Sequence, residues 1–147
     1  MNRELPMILI RAIVGLVFVL EGALKFALPG EFGAASFAAI GLPFPHILAP
    51  AVGGVEIAGG LAIVLNFYTG DAALMLAIVM IGALVTTKLP ILLGHPMGPF
   101  SLPVAPRYGL LAFLHAARVE MAMLVSAVAI LIDSGLRVGR ERRWYQS

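Results

Sequence analysis

Residues 47–93 read ILAPAVGGVEIAGGLAIVLNFYTGDAALMLAIVMIGALVTTKLPILL, two long apolar runs, 47–67 and 71–93, that meet at Asn66-Phe67-Tyr68-Thr69-Gly70. At about 1.5 Å of rise per residue, each run as a helix is long enough to cross a hydrocarbon layer of about 30 Å. Gly70 permits a reversal and Thr69 or Asp71 can cap the second helix, so the segment reads as an antiparallel transmembrane hairpin. A further apolar run from about Leu5 to Leu28 precedes it, and another from about Gly109 to Asp133 follows. The fold class predicted is therefore all-α, a four-helix transmembrane bundle, and 147 residues leave room for a single integral membrane domain over 1–147.

Composition agrees, with 61% apolar residues, 12% charged ones and a mean hydropathy of +0.99. A water-soluble globule would have about 45–50% and about 25%. The chain has no cysteine, which excludes disulfides and thiolate chemistry. Arg3 ahead of an apolar run resembles a signal peptide, but Arg11, Glu21 and Lys25 interrupt the run and no small-residue cleavage site follows, so a retained span is expected.

The loops from Pro29 to His46 and from Gly94 to Tyr108 are rich in proline and glycine, and neither can continue a helix. The first has no Lys or Arg and the second only Arg107, whereas Arg3 and Arg11 lie near one terminus and Arg137, Arg140, Arg142 and Arg143 near the other. The positive-inside rule predicts a multi-pass protein of the inner (plasma) membrane with both termini cytoplasmic and both long loops outside. The net charge of +2 comes mainly from the tail, whose Arg142-Arg143-Trp144-Tyr145 reads as an interfacial anchor facing lipid and not nucleic acid.

A charge in mid-span costs about 2.5–3.5 kcal/mol, so each needs a partner or a wet cavity. Six residues qualify, and they balance: Glu21, Glu56 and Glu120 against Lys25, Lys88 and Arg118. Measured from the outer ends of the predicted spans, Lys25 and Lys88 lie about 5 and 8 Å deep, Glu21 about 10 Å, and Glu56, Arg118 and Glu120 about 14–16 Å. All six thus fall in the outer half or near the midplane, where one shared polar cavity is cheaper than six lipid-exposed charges. Glu21 and Lys25, at i and i+4, can pair locally. Arg118 and Glu120 sit about 200° apart on their helix, so at least one must reach across to another span. Arg11 lies about 9 Å from the inner end, where it is expected to snorkel to the cytoplasm.

Around Glu56, Gly53-Gly54-Val55-Glu56-Ile57-Ala58-Gly59-Gly60 places glycines on the carboxylate's face for close helix approach or a ligand groove, and Gly54, Ala58 and Ala62 form a small-residue packing pattern. Pro90 predicts a kinked or frayed turn near Lys88. His46, His95 and His115 fall toward the outer side, but no pair has the spacing of a bis-imidazole haem in a bundle and no metal site is expected. His115 and Arg118, at i and i+3, share a face and could contact an anion or a carbonyl. No phosphate loop, nucleophile elbow, zinc motif or dinucleotide fingerprint occurs.

Arg11 with Val17-Phe18-Val19-Leu20-Glu21-Gly22-Ala23-Leu24-Lys25-Phe26, then Phe37-Ala38-Ala39-Ile40-Gly41-Leu42-Pro43 and Gly53 to Leu61, resembles the DoxX/DoxD-like family of small four-helix membrane proteins over most of residues 11–93. Some members resemble the membrane subunit of thiosulfate:quinone oxidoreductase and others are linked to oxidative-stress complexes. The resemblance implies a redox-associated accessory subunit working beside a membrane or extracytoplasmic redox partner, with Lys25 and Glu56 as functional positions. A quinone or small anion is the expected ligand of the outer cavity, and Glu21, Lys25, Glu56, Lys88, His115, Arg118 and Glu120 are its expected ligand-binding or polar-network residues. No side chain carries electrons by itself, so an accessory role is favoured over an autonomous oxidoreductase. The alternative is a non-catalytic scaffold or small-solute permeation protein, and small-residue faces would also suit a homo-oligomer.

Overall fold

The computed structural model describes residues 4–144, and the side chains of residues 4–135; the predicted anchor Arg142 to Tyr145 lies outside those side chains. The described regular structure is helical: α1 (Leu5–Ala27), α2 (Ala34–Ile40), α3 (Pro45–Val64), α4 (Thr69–Ala83), a π-helical turn (Leu84–Lys88), α5 (Leu89–Leu93) and α6 (Leu110–Trp144). Four stretches are long and apolar enough to span a membrane: Leu5–Ala27, Pro45–Val64, Thr69–Leu93 and Leu110–Gly135, each within a few residues of the predicted runs. They run antiparallel in turn, which gives the bundle a terminal end, carrying the α3–α4 turn, and a long-loop end.

Between the apolar surfaces of helices in lipid there is little hydrophobic driving force, so close backbone approach decides which helices pair. A methyl group added at Gly22 would sit 2.5 Å from the Gly53 carbonyl, and one added at Gly60 would sit 2.5 Å from the Gly15 carbonyl. Two glycines seven residues apart on α1 thus meet two seven residues apart on α3, and this is the most extensive helix contact in the bundle. Leu76 of α4 packs on Gly59 from the other side. Of the predicted Gly54, Ala58 and Ala62 pattern only Ala62 packs against the core: Gly54 and Ala58 are exposed, and nothing lies within 4 Å of a methyl group at Gly54. Val14, Phe18, Ile63, Ala72, Ala73, Leu76, Met80 and Ile130 form the buried core.

Sequence reasoning about the turn also needs correction. Asn66 and Tyr68, with φ of 57° and 44°, carry the reversal; Gly70 is already inside α4, and neither Thr69 nor Asp71 caps it. A methyl group at Gly70 would lie 2.8 Å from Ser134 Oγ, a side chain that can turn aside, so the reversal does not rest on this glycine. Thr69 Oγ1 instead donates to Asn66 Oδ1 (3.2 Å), which also accepts from Arg11 Nη1 (2.7 Å).

Arg11 does not snorkel. It is buried, 5% exposed, and its Nη2 pairs with Asp133 of α6 at 2.8 Å. A guanidinium that finds both a carboxylate and an amide oxygen inside the bundle has no reason to seek water, and the contact ties α1, the α3–α4 turn and α6 together at the terminal end.

Pro90 neither frays nor ends its helix. Lacking an N–H, it cannot bond the carbonyl one turn back, and the chain widens over Leu84–Lys88 so that the Leu89 N–H reaches the Leu84 carbonyl. Thr86 and Thr87 hydroxyls donate to the Gly82 (2.9 Å) and Ala83 (2.6 Å) carbonyls along the same stretch. The helix then continues to Gly94.

The first long loop holds the short helix α2, which packs on α3. Gly41 closes α2 at φ +93° and lies so close to the Pro99 carbonyl that a methyl group has no room there. With the Ser101 N–H donating to the Ile40 carbonyl at 2.8 Å, the two long loops are fastened together at one end of the bundle.

Candidate functional site

Below those loops lies a cavity of about 570 Å³, walled by α1, α2, α3, the end of α4 with its π turn, and α6. Glu21, Lys25, Glu56, Lys88 and Glu120 line it, with Ser36, Thr86 and Thr87 as neutral polar groups and Phe18, Phe37, Ile40, Met80 and Met123 among the apolar ones. The volume falls within the range of about 300–1,000 Å³ common for small-molecule sites, as does the mixture of an apolar wall and a few polar groups.

Glycine packing builds the first ion pair. Because Gly22 and Gly53 let α1 and α3 approach, Lys25 and Glu56 face each other at close range, and Lys25 Nζ lies 2.6 Å from Glu56 Oε2. Both side chains are largely enclosed, at 10% and 3% exposure. The contact is an ion pair without the alignment of a good hydrogen bond. Lys25 Nζ also donates to the backbone carbonyl of Glu21 at 3.3 Å. The local Glu21–Lys25 pair allowed by their spacing is therefore replaced by a pair between helices, and the Glu21 carboxylate is left facing the cavity from an exposed position.

The π turn builds the second. Its extra residue per turn re-aims the end of this span, and Lys88, the last residue of the turn, lies 2.9 Å from Glu120 Oε1 of α6. This pair is more open, with the side chains 21% and 22% exposed. Of Arg118 and Glu120, predicted to point apart, it is Glu120 that reaches another span.

Two predicted site residues are not brought in. Arg118 and His115 are exposed on α6 and absent from the cavity lining, and Arg118 Nη1 donates to the backbone carbonyl of His115. His46 and His95 are exposed as well. Among the described residues no three His, Asp or Glu side chains gather as a metal ion would require.

The pairs divide by helix: Lys25–Glu56 joins α1 to α3, Lys88–Glu120 joins the π turn to α6, and Arg11–Asp133 links α1 to α6 near the terminal end. Sequence reasoning missed the last of these. The signal was available, since Arg11 and Asp133 each lie within two turns of the same end of their spans. It also missed that α2 supplies Ser36, Phe37 and Ile40 to the wall, for which a loop dense in proline and glycine gives no sign.

Comparison with known proteins agrees with this architecture. A family model described as DoxX matches residues 7–89, more than half of the chain. That stretch contains Glu21, Lys25, Glu56 and Lys88 but stops short of α6 and Glu120. The chain is 38% identical over 136 residues to the uncharacterised membrane protein Rv3486 of Mycobacterium tuberculosis, covering 92% of this chain and 79% of that one. It is 32% identical over 87 residues to a Bacillus subtilis protein named "Putative oxidoreductase CatD", covering 58% of this chain and 62% of that one. No solved structure matches.

Proposed function

The chain belongs to the DoxX family of membrane proteins, and from that premise we propose that it binds a quinone headgroup in the cavity between its helices, as an accessory subunit of a membrane redox system. The observation that carries this reading is a cavity of about 570 Å³ with an apolar wall and two ion pairs, Lys25–Glu56 and Lys88–Glu120, facing it. A quinone headgroup has an apolar ring and two carbonyl oxygens. Ammonium groups of Lys25 and Lys88 donate hydrogen bonds to such oxygens, and the carboxylates of Glu56 and Glu120 accept hydrogen bonds from the hydroxyls of the reduced form.

Charge favours a neutral ligand over a small anion. Without Arg118 the lining holds three carboxylates, Glu21, Glu56 and Glu120, against two lysines, so an anion would meet a formal excess of one negative charge. The electrons come from a partner protein, because no side chain of this cavity carries them. The similarity to a protein named as an oxidoreductase supports a redox setting. We place the protein in the plasma membrane with its termini in the cytoplasm, by the loop charges, which opens the cavity toward the outer leaflet.

A second reading, a scaffold, is favoured by one observation: each lysine already has its carboxylate, so the network satisfies itself. A short-chain quinone separates the two. Quinone binding predicts a concentration-dependent rise in melting temperature of the detergent-solubilised protein, diminished in Lys88→Gln with Glu120→Gln, the more open pair. No rise in the wild type, with the paired variant simply melting earlier, would leave the charges as architecture.

A further inference from the structure

Arg118 and His115, the residues of the predicted site that stay outside the cavity, have a role of their own. Three residues apart, they share a face of α6 and are both exposed on the bundle surface. Among the described mid-span charges in this half of the bundle, Arg118 alone has no side-chain or cavity setting inside the chain: Lys25, Glu56, Lys88 and Glu120 are paired, and Glu21 faces the cavity. A guanidinium cannot rest in hydrocarbon without an anion or water. Its Cα lies about 12 Å along α6 from Leu110, and the bond to the His115 carbonyl turns the guanidinium back toward that end of the helix, the direction of the nearer headgroup layer.

We infer that the His115–Arg118 face of α6 holds the phosphate of an anionic phospholipid from the leaflet on the long-loop side. The guanidinium fork matches two phosphate oxygens, and the His115 ring adds a donor on the same helix face. Arg107, exposed in the loop that enters α6, adds a cation at the same end. Further along the same helix Met121 and Val125 are exposed, which gives the acyl chain an apolar track leading away from the phosphate. A lipid supplies an anion and an apolar chain together at this depth, which a soluble anion does not.

The test is native mass spectrometry of the full chain in detergent with equal amounts of phosphatidylglycerol and phosphatidylcholine. The wild type is expected to retain phosphatidylglycerol preferentially, and Arg118→Gln to lose about fivefold of that preference, as one basic residue at a lipid surface is worth. Arg118→Lys keeps part of it. Helical circular dichroism checks that each variant folds. Equal retention by wild type and Arg118→Gln overturns the inference. So does displacement of the preference by inorganic phosphate at millimolar concentration, which would mark a soluble-anion site, or loss of a chain dimer in Arg118→Gln, which would mark a protein contact.

Discussion

Replacing Gly22 with alanine tests how the first ion pair is built. The new methyl group would meet the Gly53 carbonyl at 2.5 Å and the Ile57 side chain at 2.7 Å. A backbone carbonyl cannot rotate aside, so α1 and α3 must separate by about 0.9 Å to restore an ordinary contact of 3.4 Å. Overpacking of this kind costs about 1–3 kcal/mol. If the Lys25–Glu56 separation widens with the helices, from 2.6 to about 3.5 Å, the pair weakens by about 1.5 kcal/mol at an effective dielectric of about 20. Alanine returns up to about 1 kcal/mol in helix propensity, which leaves a net loss of about 1.5–3.5 kcal/mol. Gly60→Ala, against the Gly15 carbonyl, should behave alike. Gly53→Ala should cost less, because its shortest contact, 2.9 Å, is to the Phe26 ring, which can turn. Gly54→Ala meets nothing and should be neutral or stabilising. Equilibrium unfolding in mixed micelles, monitored by circular dichroism, measures the series. Equal stability of Gly22→Ala and wild type, or equal losses at Gly22 and Gly54, would refute the packing argument.

Arg11→Met withdraws a buried guanidinium from Asp133 and Asn66 and should destabilise the fold by about 3–5 kcal/mol in the same assay, with Arg11→Met combined with Asp133→Leu recovering part of the loss. Pro90→Ala restores the missing N–H and should close the π turn, carrying Lys88 away from Glu120; helix content is expected to hold while quinone-induced thermal stabilisation falls. Double-mutant cycles should give coupling of about 1–2 kcal/mol within Lys88–Glu120 and a value near zero between Lys25 and Glu120, which belong to different pairs. Coupling of equal size in both cycles would contradict the separation of the two pairs.

The spans were legible because apolar length is a local property, and 47–67 and 71–93 announce themselves without any knowledge of neighbours. The cost of mid-span charge also located most of the cavity: Glu21, Lys25, Glu56, Lys88 and Glu120 line it. Rotation about the helix axes could not be read. Arg118 and Glu120 are two residues apart, and only the packing of α6 decides that one enters the bundle and the other does not. Register had the same effect on the glycines, since Gly53 and Gly54 are indistinguishable until α1 arrives against one of them. Sequence neighbourhood misled for Lys25, which has Glu21 one turn away but a better partner on α3. For Arg11, distance to the membrane surface carries no trace of a partner 122 residues away. The π turn originates in Pro90, yet whether a helix frays, kinks or widens there depends on the threonine hydroxyls and on Glu120 waiting across the cavity.

The most direct measurement is the quinone content of the gently purified protein by native mass spectrometry, in wild type, Glu56→Gln and Arg118→Gln. A cavity held by Lys25–Glu56 predicts quinone in the wild type and in Arg118→Gln, and its loss in Glu56→Gln with helix content intact. Wild-type protein that holds no quinone and takes up none when it is added, or loss in Arg118→Gln with retention in Glu56→Gln, would contradict the account.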